Sequence, residues 1–180
     1  TPLRSIRQIR ETSGEIEFSY PYSVEQRMRP EPITLLKFAL QQTFLTGTAR
    51  GYSKKDVDKW NAGGKTGTSD DQRDSWFVGF AGDLLVLVWL GFDDNRPTVL
   101  TGRTGAFQVW KNFIDDINPV STKKTKLQRI QYVWTDIDDG LLSGKSCKNS
   151  LLVPFIRGTE PIKVPNVRKK CFSKNPTNGE

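Results

Sequence analysis

Histidine is absent from this chain of 180 residues. That absence removes both a Ser-His-Asp relay and any histidine-ligated zinc, and leaves acid–base work to Lys, Asp, Glu or Tyr. Cysteine is scarce: Cys147 and Cys171 are too few for a four-thiolate metal site and lack CxxC spacing. In an oxidising compartment the pair could close one disulfide, worth about 3 kcal/mol in lost unfolded-chain entropy, or the two could be unrelated buried thiols. Long apolar runs are missing as well. LLVLVWL, from Leu84 to Leu90, is far too short to cross a bilayer, and the opening TPLRSIRQIRE lacks the apolar segment of a signal peptide. The sequence therefore reads as an interior or C-terminal excerpt of a longer protein.

What is present describes a globular chain. At 36% hydrophobic and 26% charged it is soluble in character, and its length allows one domain or a large piece of a bigger one. Lys and Arg total 27 against 20 Asp and Glu, a net charge of +7 that suits an anionic partner or ordinary solubilisation. No basic stripe is interleaved with aromatics, so no nucleic-acid partner is expected.

Along the chain, RSIRQIRETSGEIEFSY alternates about Thr12-Ser13-Gly14 and predicts a β-hairpin with one wet face. Ile33, Leu36, Leu40 and Phe44 recur at helical spacing, with Pro32 in the first turn and Gly47 at the end, which predicts a helix of about four turns. SWFVGFAG and DLLVLVWLGFD flank the turn Ala81-Gly82-Asp83 and predict an antiparallel pair, the second strand covered on both faces. GAFQVWKNFIDDI returns to helical spacing through Phe107, Trp110 and Phe113 or Ile114. Beyond Pro119 a basic linker leads to a small strand-and-turn module, QYVWTDIDDGLLSG, and a tail holding both cysteines. Trp76, Phe77, Trp89 and Trp110 are expected in the core, Asp74 as a turn or cap partner, and Asp115-Asp116 and Asp138-Asp139 as solvated pairs.

Between the first helix and the strand pair lies NAGGKTGTSDD, which admits two chemistries. A phosphate-binding loop would need a glycine five residues before Gly64, where Lys59 stands, and would open a helix, where Asp70, Asp71, Gln72, Arg73 and Asp74 follow. The alternative is a strand whose lysine and threonines receive a carboxylate.

Lys65-Thr66-Gly67-Thr68 followed by Asp74-x-Trp76-Phe77-x-Gly79 closely resembles the KTG box of the penicillin-binding proteins and its next strand. GTARGY before it and Cys147…PFIRGTEP after it look like the C-terminal half of the class A enzymes, most similar to the 1b type. The resemblance implies an α+β fold, an antiparallel sheet flanked by helices as in penicillin-binding proteins and serine β-lactamases, incomplete in this chain. It divides the sequence into residues 1–119, the second half of a transpeptidase domain, and 120–180, a linker and C-terminal extension.

The same resemblance implies a substrate. Peptidoglycan stem peptides end in a D-Ala-D-Ala carboxylate, which β-lactams imitate; Lys65 would supply the opposite charge, and Thr66 and Thr68 hydroxyls would donate hydrogen bonds. Gly67 would let the peptide lie against the strand, and the Thr68 N–H would be an oxyanion-hole donor. The family's SxxK nucleophile box and SxN box precede KTG. Here Ser121-Thr122-Lys123-Lys124 and Ser173-Lys174-Asn175 match only by spacing and follow it, so this chain alone is expected to be inactive. No cofactor or metal is expected. The expected partners are stem peptides, β-lactams, the remainder of the transpeptidase domain and activator proteins of cell-wall synthesis, at the periplasmic face of the bacterial inner membrane. Two other readings stay open: a non-catalytic module binding cell-wall peptide or protein, and a β-lactamase-related enzyme.

Overall fold

The computed structural model describes residues 6–21, 24–122 and 126–161. Strands β1 (Gln8–Arg10) and β2 (Ile16–Ser19) form the predicted antiparallel hairpin, with Ile9 opposite Phe18. Both of its faces meet solvent: Ile9, Ile16 and Phe18 are exposed along with the charged positions.

Helix α1 (Pro30–Leu45) opens on Pro30 and Pro32, whose missing N–H groups cost nothing in a first turn. Its apolar stripe is narrower than the spacing suggests, because Phe44 is buried whereas Leu36 is half exposed. A second helix, α2 (Lys54–Trp60), was not foreseen from the polar run DVDKW. It is short and held by its ends. The Ser53 hydroxyl accepts from the Asp56 N–H while the Asp56 carboxylate accepts from the Ser53 N–H, and Asn61 at φ 51 closes it. Only Val57 and Trp60 tie it to the interior.

Three strands follow, β3 (Gly63–Thr68), β4 (Ser75–Ala81) and β5 (Leu84–Leu90), in antiparallel order β3-β4-β5. A turn at Asp70–Gln72 links the first two. Side chains alternate across a sheet, and the register sorts them: Thr68, Ser75 and Leu90 share one face with Thr66, Phe77 and Val88, while Lys65, Val78 and Leu87 share the other with Gly67, Trp76 and Trp89.

The first face carries the core. Helix α3 (Ala106–Ile117) lies across it, burying Phe107, Trp110 and Ile114 against Phe77, and the end of α1 adds Phe44. Phe44, Phe77, Phe107 and Trp110 pack ring against ring at centroid distances of 5.0–6.5 Å. Of the two positions left open for α3, Ile114 turns inward and Phe113 outward.

The second face overturns two expectations. Leu85 (75% exposed), Leu87 (57%) and Trp89 (43%) stand in solvent, so β5 is covered on one face only, and Trp76 (39%) packs on Trp89 in the open rather than in a core. Every position of β5 is apolar, yet cover on this side is confined to the Gly63–Phe80 end, where α1 packs through Leu40 and Gln41 and Lys37 lies over the Phe80 ring.

The C-terminal module is a hairpin of β6 (Ile130–Asp136) and β7 (Ser150–Ile156), with Trp134 opposite Leu152. It rests against α1, and a cleft of about 810 Å³ between them is lined by Ile33, Phe38, Leu45, Trp134 and Leu151. Cys147 is buried in this module, whereas Cys171 and Ser173-Lys174-Asn175 lie outside the described residues, as do Lys123 and Lys124.

Candidate active-site edge

The KTGT segment lies at the rim of the three-stranded sheet, with β4 on one side and, among the described residues, no strand on the other. An antiparallel edge strand turns the N–H and C=O of alternate residues outward. Three hydrogen bonds give the parity here. The Ser69 N–H donates inward to the Asp74 carbonyl (3.2 Å), whereas the Gly64 carbonyl accepts from the Thr43 hydroxyl of α1 (2.6 Å) and the Thr66 carbonyl from Lys65 Nζ (2.8 Å). Gly64, Thr66 and Thr68 therefore present their backbone groups to the open edge. Helix α1 caps the Gly64 end, and from Lys65 onward no other described element pairs with the edge.

The side chains divide between the faces. Lys65 is exposed on the apolar side with Val78, and its ammonium reaches back to the edge. Thr66 lies on the core side, 2.8 Å hydroxyl to hydroxyl from Thr48 of the GTARG loop. The Thr68 hydroxyl accepts from the Gly102 N–H at 2.8 Å. A Cβ at Gly67 would approach the Trp76 side chain to 3.1 Å. The four residues thus share one rim, but Lys65 and the two hydroxyls flank it from opposite sides.

The supports are made by buried polar contacts. Ser75, fully buried opposite Thr68, donates to the Thr101 carbonyl (2.8 Å) and accepts from the Ala106 N–H (2.9 Å), tying the start of α3 to β4. Asp74 fills the expected turn role: its N–H donates to the Ser69 hydroxyl (2.7 Å) and its carboxylate accepts from Trp89 Nε1 (2.9 Å). Thr48 was legible only as part of the GTAR string, and nothing in the sequence pointed to Gly102.

The remaining acids, Asp115-Asp116 and Asp138-Asp139, are exposed as expected, and three of them also hold hydrogen bonds. Asp115 accepts from the Tyr52 hydroxyl (3.0 Å) and from Lys111 Nζ (2.6 Å). Burial and that carboxylate push the Tyr52 phenol far above its ordinary value. Asp138 accepts from Asn149 Nδ2 (2.6 Å), and Asp139 accepts from the Leu141 N–H (2.9 Å), shaping the turn after β6. Among the described residues no three His, Cys, Asp or Glu side chains group as a metal site, and no helix is long and apolar enough to cross a membrane.

Sheet, helices and rim together define an incomplete α+β domain of the penicillin-binding and serine β-lactamase-like transpeptidase fold. The crystal structure of penicillin-binding protein 1A from Haemophilus influenzae superposes with a TM-score of 0.57 at 21% identity, covering 89% of this chain and 30% of that one. By sequence the chain is related to the penicillin-binding proteins 1A and 1B. It is 40% identical over 116 residues to penicillin-binding protein 1B of Haemophilus influenzae, covering 64% of this chain and 15% of that protein. To penicillin-binding protein 1A of Aquifex aeolicus it is 29% identical over 164 residues, 87% of this chain and 22% of that protein. The chain thus spans well under a third of these relatives' length. No protein-family model matches it.

Proposed function

We propose that this chain is the C-terminal part of the transpeptidase domain of a 1B-type penicillin-binding protein, and that Lys65–Thr68 form the wall receiving the substrate's terminal carboxylate. The observation that carries the reading is the open rim of β3, which over four consecutive residues bears an ammonium, two hydroxyls and the outward backbone N–H groups of Thr66 and Thr68. Relatives named 1B reach 40% identity and those named 1A reach 34%, a margin that favours the 1B subtype.

An extended peptide added at this rim continues the sheet through its main chain. Its terminal carboxylate is reached by Lys65 from one face and by Thr66 and Thr68 from the other, so opposite charge and hydrogen bonding converge on one anion. The Thr68 N–H, outward by parity, serves as an oxyanion-hole donor, a contribution of about 3 kcal/mol to transition-state stabilisation.

The nucleophile is a serine outside this chain. It attacks the penultimate D-Ala carbonyl and D-Ala leaves; the acyl group then passes to an amine of a neighbouring stem peptide. A β-lactam stalls at the acyl stage. The apolar face of Trp76, Val78, Leu85, Leu87 and Trp89 is where the remainder of the domain packs, and the 180 residues alone neither acylate nor turn over substrate.

Labelling of the full-length polypeptide by a fluorescent penicillin tests this reading, with stable acylation expected. Rapid multiple turnover of nitrocefin would replace it with a β-lactamase-related enzyme. A polypeptide that carries no SxxK serine ahead of residue 1 and stays unlabelled would be a binding module.

A further inference from the structure

The Thr68 hydroxyl has one proton and two lone pairs. The Gly102 N–H occupies a lone pair at 2.8 Å, and no acceptor for the proton lies among the described residues. We propose that Gly102 is a positioning residue for Thr68: by donating to its hydroxyl from behind, it commits that hydroxyl to act as a donor toward an anion on the open edge of β3. This rests on the carboxylate-receiving reading above.

Only glycine fits where that N–H must be. A Cβ at residue 102 would stand 2.7 Å from the Gly67 carbonyl oxygen, 2.8 Å from that of Trp76 and 2.9 Å from Thr66 Cβ. Two of the three are backbone atoms of the β3–β4 pair, which cannot withdraw without opening the ladder. An alanine therefore pushes the loop off the strand by several tenths of an ångström and lengthens the bond to Thr68.

The loop is pressed inward from behind. Ser75 grips Thr101 and Ala106, and the Gly102 carbonyl accepts from the Phe107 N–H (2.9 Å). On the approach, Val99 is held at φ 59, a left-handed conformation that a β-branched residue adopts only under constraint. The constraint is visible next door, where the Thr98 N–H and hydroxyl both donate to the Gln72 carbonyl, at 2.9 and 2.7 Å.

The test is a double-mutant cycle in the full-length polypeptide, read as the second-order rate of acylation by a fluorescent penicillin. Gly102→Ala and Thr68→Val are each expected to lower that rate about tenfold, the loss of one charge-assisted hydrogen bond, mainly at sub-saturating penicillin. In the Thr68→Val background Gly102→Ala should add nothing. An undiminished rate in Gly102→Ala, or a loss that multiplies in the double variant, overturns the assignment.

If Gly102→Ala does not fold, Thr104→Val is the substitute. The Thr104 hydroxyl accepts from the Thr101 N–H (2.9 Å), so its removal loosens the loop without adding a Cβ at residue 102. Its expected smaller loss must also vanish in the Thr68→Val background; a loss that persists there refutes the proposal. A wild-type protein that takes no label refutes the carboxylate-receiving reading itself, whereas labelling with multiplicative losses refutes only the part assigned to Gly102.

Discussion

Lys65 and Thr66 are neighbours that face opposite sides of a sheet, so their proposed contributions to one ligand are separable. Both would donate to an ionised carboxylate, a kind of bond worth about 1.5–3 kcal/mol, but only the ammonium also brings an opposite charge. Lys65→Ala is therefore expected to slow penicillin acylation of the full-length polypeptide by about 10- to 100-fold, and Thr66→Val by less. Equal small effects in the measured rate constants would remove the carboxylate role. Tyr52 makes a different residue-scale prediction. Its phenol is held protonated above the ordinary value of 10 by burial and by Asp115. The folded state therefore keeps a proton that the unfolded chain releases, and stability falls as pH rises above about 10. Melting temperatures between pH 9 and 11 should decline more steeply for wild type than for Tyr52→Phe, which has no such proton to lose.

Helix α2 shows how little hydrophobicity an element needs when its ends are made well. It has seven residues, too few to be stable alone, and Ser53 and Asp56 satisfy its first free N–H groups. Ser53→Ala is expected to cost about 1 kcal/mol, measured by denaturant unfolding. The Ser53 hydroxyl and N–H also hold the Asp56 carboxyl below its ordinary value, although this group is largely exposed. That contribution is present above the ordinary carboxylate value and is lost as pH falls through the depressed folded value. The wild-type advantage over Ser53→Ala should therefore shrink at acid pH. An unchanged difference between neutral and acid conditions would show that the carboxylate contributes nothing to the cap.

For the whole molecule the decisive feature is a sheet finished on one side only. Phe44, Phe77, Phe107 and Trp110 bury the middle of the first face, whereas Leu85, Leu87, Trp76 and Trp89 stand in solvent on the second. A contiguous apolar patch of this kind drives association. The 180 residues in isolation are expected to bind an apolar dye and sediment as oligomers, and Leu85→Lys with Leu87→Lys should reduce both. A monodisperse, dye-silent chain would mean that this face needs no cover. The alternating β-hairpin, the helices around Phe44 and Trp110 and the strands either side of Gly82 were all legible, because each carries a period that local geometry imposes. Helix α2 was not: its evidence is the spacing of Ser53 and Asp56, which the polar run around them obscures.

What the amino-acid order determined by itself was the local grammar: the periods that make helix or strand, the caps and turns, and the compact run of ammonium and hydroxyls at Lys65–Thr68. Which side of β5 would be covered could not follow from LLVLVWL, since an all-apolar strand has no polar face to mark an exposed side, and only packing against α3 chose between its two faces. The partnership of Gly102 with Thr68 was equally invisible, because residues 34 apart in the chain meet only when Ser75 draws the start of α3 onto the sheet. Burial, edge position and close backbone approach are properties of the assembled layers, and no local pattern encodes them.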